Sequence, residues 1–288
     1  MKLQTIVLAN LAVDEKEKLK IWMKEISQEY EVQDCAISKE EPEASLETFF
    51  REKKLSKSKS LLLSSSRRIL MFAKELNVAV LPCSDGKEDY SGFHTIVEKV
   101  WETDCRFLRR CYEREWRLPW EILETKHLIV REETEADVES LYEMYEQPHI
   151  KEYLEPLYEE REKEIDYIQK YRDYVYSYYE FGLWHLVDKQ TNKSVGRAGL
   201  NPKSYEDGVS GVELGYMIAE PFLRRGYCME ACQGILQYAK EELGIEEVYC
   251  VIRPDNETSI HIAEKLGFEF EKEFTEEKRK MFRFYKAL

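Results

Sequence analysis

The sequence predicts an α/β protein built from two domains, a parallel-sheet domain followed by a mixed-sheet domain. Three observations predict it. The chain has 288 residues, and single cores usually stop growing near roughly 250 to 300 residues. In the first half short apolar runs alternate with amphipathic stretches, as in a parallel sheet with crossover helices. In the second half two helical stretches precede a hairpin, which leads into a strand, a loop and a helix.

Taken in order, Thr5 to Ala9 reads as a strand, and Asp14 to Ser27 as a helix with Leu19, Trp22, Met23 and Ile26 on one face. The opening Leu3 to Val13 is interrupted by Gln4 and Asn10 and followed by Asp14 and Glu15. That pattern favours a buried first strand over a secretion signal. The unit recurs as Val32 to Ile37 before a helix through Leu46, Phe49 and Phe50, and as Leu61 to Leu63 before a helix through Ile69, Phe72 and Leu76. Val78 to Leu81 is the next strand, and Phe93, Val97, Val100 and Trp101 are expected to start another helix. Trp116-Arg117-Leu118-Pro119-Trp120 contains a helix-breaking proline, which places a linker at 116–125 between domains at 1–115 and 126–288.

In the second domain His127 to Arg131 alternates like a strand, and Thr134 with Asp137 forms a helix-start box ahead of Val138, Leu141, Tyr142 and Tyr145. A second helix runs from about Glu162 to Tyr179 with Ile165, Ile168, Val175 and Tyr179 inward. Gly182 to Val187 and Ser194 to Leu200 make the hairpin, Val212 to Ala219 the next strand, and Met229 to about Leu243 a helix.

Composition narrows the function. With 43 Lys and Arg against 57 Asp and Glu, the net charge is −14, which repels a phosphate backbone, so no nucleic-acid partner is expected. No apolar run approaches the roughly 20 residues of a membrane span. The 7 cysteines form no C-x-x-C pair, which argues for a reducing, cytoplasmic setting and against a zinc knuckle. His94, His127, His149, His185 and His261 lack partner spacing, so no metal is expected.

The informative stretch is Val212 to Met229, where a strand feeds the basic loop Glu220-Pro221-Phe222-Leu223-Arg224-Arg225-Gly226-Tyr227-Cys228 and then a helix. Unpaired N–H groups and the positive dipole end of such a helix suit an anion, and here a diphosphate. Arg224 and Arg225 add charge, and Gly226 permits close backbone approach. The same residues also fit an ordinary surface turn.

Two resemblances follow. Leu61 to Ser66 with the following helix and Asn77 to Leu81 resembles the last strands of a haloacid dehalogenase-like phosphatase, a Rossmann-like fold. That family's nucleophilic Asp is replaced by Ala9-Asn10-Leu11-Ala12 and its acidic metal ligands by Ser64, Ser65 and Ser66, so phosphoryl transfer is not expected. The second half resembles the GNAT superfamily of acyl-CoA N-acyltransferases, in the branch of the ribosomal-protein N-terminal acetyltransferases. The matching motifs are, in order, Gly196 to Leu200, Glu213-Leu214-Gly215-Tyr216, Arg225-Gly226-Tyr227 with Glu230-Ala231, Asn256 to Ser259, and Glu264 to Phe268. The loop departs from the usual pattern at Leu223 and Cys228.

The GNAT resemblance implies acetyl-CoA as co-substrate, its diphosphate on the N–H groups around Arg225, Gly226, Tyr227, Cys228 and Met229. It also implies that the pantetheine arm pairs strand-like with Met217 and Ile218, and that Asn256 reaches cofactor polar groups. For Asn256 a plain helix cap is the competing assignment. Acyl transfer needs an uncharged amine, and Glu213 is the candidate base, directly or through water. The tyrosine that many members use as acid falls at Ala263; the resemblance to the ribosomal-protein branch implies a serine acid instead, which maps to Ser259, with a capping role as its rival. Glu155, Glu159, Glu160, Glu162, Glu164 and Asp166, beside Tyr167, Tyr171, Tyr174, Tyr176, Tyr178 and Tyr179, suggest an acidic wall for a cationic amine acceptor, with a Glu159 to Lys163 pair as the solvated-helix alternative. The rival to an enzyme is a non-catalytic acyl-CoA-binding module acting through the first domain.

Overall fold

A computed structural model describes residues 2–12, 14–38, 40–205 and 208–288. Val13, the last residue of the opening stretch Leu3 to Val13, lies outside the described residues. The chain divides into two compact units, Met1–Leu118 and Pro119–Leu288.

The first unit is a parallel sheet of order β2-β1-β3-β4, with β1 Thr5–Ala9, β2 Glu31–Cys35, β3 Ser60–Ser64 and β4 Ala79–Pro82. Every residue of β1 and β3 is buried, because a parallel sheet with helices on both faces leaves its central strands no wet side. Alternation then divides the core. Ile6 and Leu8 pack with Trp22 and Ile26 of α1 (Lys16–Ile26) and Leu108 of α4 (Cys105–Glu115). Val7 and Ala9 pack with Leu46 of α2 (Pro42–Glu52) and Leu70 of α3 (Arg67–Glu75).

The helix expected from Phe93 does not form. Val97 instead runs parallel to the chain after β4, donating to Pro82 O at 2.9 Å and accepting from Ser84 N at 2.7 Å. The next helix of this unit is α4, where the Asp104 carboxylate caps Phe107 N at 2.7 Å.

The second unit is an eight-stranded sheet of order β11-β12-β10-β9-β8-β7-β6-β5. Its strands are β5 Glu121–Glu124, β6 Leu128–Arg131, β7 Leu183–Asp188, β8 Ser194–Ser204, β9 Ser210–Ile218, β10 Glu247–Ile252, β11 Glu269–Glu276 and β12 Arg279–Ala287. Residues 121–124, assigned above to a linker, are therefore an edge strand paired with β6. Trp120 belongs to this unit's core, and Trp116 packs on the core of the first.

The helices are α5 Val138–Tyr145, α6 Pro148–Lys151, α7 Arg161–Lys170, α8 Ser177–Tyr179, α9 Tyr227–Glu241 and α10 Glu257–Lys265. The Thr134/Asp137 capping box is present as expected. Between α7 and α8 lies a π-helical stretch, Tyr171–Tyr176. Its wider turn rotates the inward face, so that Arg172 and Tyr176 are buried and Tyr179, expected inward, is exposed.

Candidate active site

Beneath α5 to α8 the sheet is antiparallel, except that β9 runs parallel to β10. Their register shows a single pair, Tyr249 with Glu213. Beyond it the strands part, and Cys250 Sγ donates to Leu214 O at 3.5 Å at the base of the opening. Ladder parity decides which main-chain groups face that opening. Ala219 N donates to Val195 O at 2.8 Å, and Met217 lies opposite Arg197. Alternate residues of β9 therefore turn N–H and C=O toward β8, Met217 among them, while Tyr216 and Ile218 turn theirs the other way. Of the expected pair, Ile218 turns its amide to the open side, as Tyr216 does, while Met217 turns its amide toward β8. The Ile218 carbonyl is already met by His149 Nε2 of α6 at 3.0 Å, and the Gln147 carboxamide takes Glu220 N at 2.7 Å.

The loop after β9 has the shape expected of it. Arg224 and Gly226 adopt left-handed backbone, with φ of 60° and 81°, and Gly226 is the N-cap of α9. A Cβ at Gly226 would meet nothing within 4 Å, so the glycine serves the backbone twist and the open approach rather than packing. The first helical bond runs from Glu230 N to Gly226 O at 3.0 Å, which leaves the N–H groups of Tyr227, Cys228 and Met229 ahead of it. Arg224 and Arg225 are exposed, and among the described residues neither pairs with a carboxylate. The Tyr227 hydroxyl turns aside to Asp188 Oδ2 at 2.8 Å, holding that carboxyl down at about 2. Glu230 is structural: it takes His127 N at 2.7 Å and the Thr125 hydroxyl at 2.5 Å, tying α9 to the β5–β6 turn. Strand opening, N–H groups ahead of the first helical bond and two exposed arginines without a carboxylate partner among the described residues, Arg225 lying 5.3 Å over the Phe222 ring, together fit the two ends of a coenzyme thioester.

Asn256 caps α10, its Oδ1 accepting from Ser259 N at 3.1 Å. The capping assignment thus holds for Oδ1, and Nδ2 stays outside that bond. Ser259 O accepts from Tyr216 OH at 2.9 Å, and the serine hydroxyl takes part in neither contact. Ala263 is buried in the core.

Glu213 stands where β9 and β10 part. Burial pushes its carboxyl up to about 7, against the opposing pull of Lys203 and of the Tyr205 hydroxyl, which donates to Oε2 at 3.2 Å. On the same sheet face Asn201 lies opposite Glu213 and Gly199 opposite Gly215. The Tyr171 hydroxyl reaches Asn201 Oδ1 at 3.1 Å, while a Cβ at Gly215 would find its nearest neighbour, Leu183, at 3.5 Å. Gly215 thus leaves room on this face, whereas the space over Gly199 is filled by the Gly182 backbone. Further along, the buried Arg197 guanidinium grips Glu133 at 2.6 and 2.7 Å and donates to Tyr145 OH at 2.8 Å.

The acidic wall is largely spent on internal contacts. Glu155 pairs with Arg279 at 2.9 Å, Glu160 with Lys163 at 2.7 Å and Asp166 with Lys170 at 2.6 Å. Glu164 is buried and takes Tyr158 N at 3.2 Å. Lys163 pairs with Glu160 rather than the expected Glu159. Beside the β10–α10 turn a groove of about 620 Å³ is walled by Tyr153, Leu154, Pro156, Arg253 and Arg279. Among the described residues no cluster of His, Cys, Asp and Glu is arranged to hold a metal, and no helix is long and apolar enough to cross a membrane.

Sequence reasoning missed Tyr205, Tyr216, His149 and Arg283. Strand alternation alone marks Tyr216, which shares a face with Leu214 and Ile218 against the core under α9. His149 and Arg283 act across long sequence separations that carry no local pattern, whereas Tyr205 reaches Glu213 over eight residues, from the turn between β8 and β9.

Comparison with known proteins bears on the family and fold of the second unit. Residues 127–269 match the family described as acetyltransferase (GNAT) domain. The chain is 34% identical over 94 residues to the uncharacterized protein YkkB of Bacillus subtilis (strain 168), covering 33% of this chain and 54% of that one, about half its length. It is 28% identical over 152 residues to the uncharacterized N-acetyltransferase YoaA of the same organism, covering 52% of this chain and 84% of that one. A solved ribosomal-protein-S5-alanine acetyltransferase from Vibrio fischeri superposes with a TM-score of 0.50 at 15% identity, over 57% of this chain and 95% of that one, which speaks for the fold alone. The C-terminal unit is a GNAT acetyltransferase domain.

Proposed function

We propose that this chain moves an acetyl group from acetyl-CoA directly to a primary amine, with Glu213 as the base. One observation carries the reading: a carboxyl raised to about 7 sits where the parallel strands part, poised to hold or release a proton near neutral pH. Acetyl-CoA, when bound, supplies an acyl group on a good leaving thiolate. Arg224, Arg225 and the N–H groups of Tyr227, Cys228 and Met229 would hold its diphosphate, and the Ile218 and Tyr216 amides its pantetheine arm. Glu213 takes the proton from the incoming ammonium, so that the amine arrives as a nucleophile. Asn256 Nδ2 is left to reach the cofactor, and Ser259 is the candidate donor to the thiolate.

The acceptor is a cationic amine, either a peptide N-terminus as in the ribosomal-protein branch or a small molecule, and the setting is the cytoplasm. The first unit, with Asn10, Ser64, Ser65 and Ser66 where a haloacid dehalogenase-like phosphatase needs carboxylates, does no phosphoryl transfer. A non-catalytic acyl-CoA sensor is favoured by one feature, Ala263 in place of the expected tyrosine. Calorimetry with acetyl-CoA followed by thiol release over a panel of amines separates the two. Binding with turnover on at least one amine supports the enzyme, binding without turnover on any supports the sensor, and no binding defeats both.

A further inference from the structure

Tyr205 follows β8 and packs against its neighbours by ring edges, with Tyr249 at 5.9 Å and 68° and Phe274 at 6.1 Å and 84°. Beneath it the fully buried Arg283 guanidinium lies 4.7 Å from the Tyr205 ring and 5.3 Å from the Tyr249 ring. Glu271 holds that guanidinium with two bonds of 2.7 and 2.9 Å. The Tyr205 hydroxyl in turn reaches Glu213 Oε2 at 3.2 Å. A chain of contacts thus runs from Glu271 through Arg283 and Tyr205 to Glu213, crossing β11, β12, β8 and β9.

We propose that Tyr205, backed by Arg283, is a positioning residue for the proton-accepting carboxylate: it pins Oε2 of Glu213 and leaves Oε1 to meet the acceptor. The proposal rests on the reading of Glu213 as the base. A carboxylate tied at one oxygen by a buried donor loses rotation, and its charged form is favoured by the bond. A cation against the ring face holds the phenol in place and favours electron density toward the ring, which strengthens the O–H as donor. Burial together with Glu213 raises the Tyr205 phenol well above its ordinary value, so the hydroxyl keeps its proton throughout the working range.

The other groups facing Glu213 are Lys203 on β8, which attracts its charge and is paired with Glu276 of β11 at 2.8 Å; Glu276 itself, which repels it; and the buried Cys250 thiol on β10. None of these reproduces the directional bond from Tyr205.

Tyr205→Phe removes the hydroxyl and keeps the ring and its stacking, so the fold is spared. Carboxyl carbon resonances of glutamate-labelled protein are followed from pH 5 to 9, and the Glu213 signal is assigned by its loss in Glu213→Gln. The wild type is expected to titrate near 7, and Tyr205→Phe about one pH unit higher. A Glu213 midpoint that does not move in Tyr205→Phe overturns the positioning role and leaves the base reading standing. A wild-type midpoint near the ordinary value for glutamate removes the base reading, and the proposal falls with it.

Discussion

Among the described residues, Glu213 and Tyr249 are the register pair at which β9 and β10 meet. The strand that carries the carboxyl therefore also carries, within its next turns of pleat, the Tyr216 and Ile218 amides on the open side. The proposed base and the proposed cofactor ladder lie on one backbone segment, so changing the carboxyl alone should separate chemistry from binding. Glu213→Gln is expected to lower kcat/KM for the best amine found in the panel by about 10² to 10⁴-fold. The dissociation constant of acetyl-CoA by calorimetry should stay within about threefold. A variant that keeps its full rate would remove Glu213 from the mechanism.

The same carboxyl costs stability. Its value is about 7 in the fold against 4.5 ordinarily, so the folded protein holds this proton more tightly than the unfolded chain does. The group's contribution is therefore most favourable below about pH 4.5 and is lost as pH rises through about 7, a change of about 3 kcal/mol. Glu213→Gln should then raise the melting temperature at pH 8 and leave it nearly unchanged at pH 4.5. Equal shifts at both values would show that the buried charge is not the cause.

Asn256 offers a cleaner separation of roles. Its Oδ1 caps α10 through Ser259 N, while Nδ2 is a donor outside that bond. Asn256→Asp keeps the cap and replaces the donor by a charge; Asn256→Ala loses both, at a cost of about 1 kcal/mol in stability. If Nδ2 contacts the cofactor, Asn256→Asp should retain the melting temperature and weaken acetyl-CoA binding about tenfold or more. Unaltered binding in Asn256→Asp would make the residue a cap and nothing else.

How much of this was legible depended on sequence distance. The alternation of Thr5–Ala9 with Trp22 and Ile26, and of Leu61–Leu63 with Ile69, placed the parallel sheet because each signal lies within one strand or one helical face. The loop from Phe222 to Met229 was legible for the same reason: strand, glycine and helix start are contiguous. Residues 121–124 were not, since Glu121-Ile122-Leu123-Glu124 is a strand only because β6 lies beside it. The inward face beyond Tyr171 failed because a π-helical turn shifts the period, and the direction of the Met217 amide was hidden because it is set by register against β8 rather than by its own identity. The acidic wall dissolved into contacts that are mostly local, Glu160 with Lys163 and Asp166 with Lys170, while Glu155 finds Arg279 more than a hundred residues away.

The loop proposed to hold the diphosphate predicts opposite effects on stability and binding. Arg224 holds a left-handed φ of 60°, which costs a side chain with a Cβ roughly 1 kcal/mol relative to glycine. Arg224→Gly should therefore stabilise the domain by up to about 1 kcal/mol in urea unfolding. It should weaken acetyl-CoA binding severalfold and reduce the salt dependence of that binding, because an unpaired cation is gone. Stabilisation without loss of affinity would place the diphosphate elsewhere.

The last expectation concerns the space beside the base. Gly199 and Gly215 face each other across β8 and β9, but they are not equivalent. A Cβ at Gly199 would stand 2.1 Å from the Gly182 carbonyl oxygen, so that glycine is required by the backbone passing over it. At Gly215 the nearest atom would be Leu183 Cδ2 at 3.5 Å, an ordinary contact, and the methyl fits without strain. Gly199→Ala should unfold or strongly destabilise the domain, whereas Gly215→Ala should fold with unchanged stability. Because Gly215 lies two residues beyond Glu213 on the same sheet face, the added methyl would narrow the approach of an amine to the carboxyl if Glu213 is the base as proposed. Gly215→Ala is expected to raise the acceptor KM about tenfold or more, with larger amines affected most and acetyl-CoA binding left alone. Unchanged KM across amines of increasing size would show that the acceptor approaches Glu213 from another side.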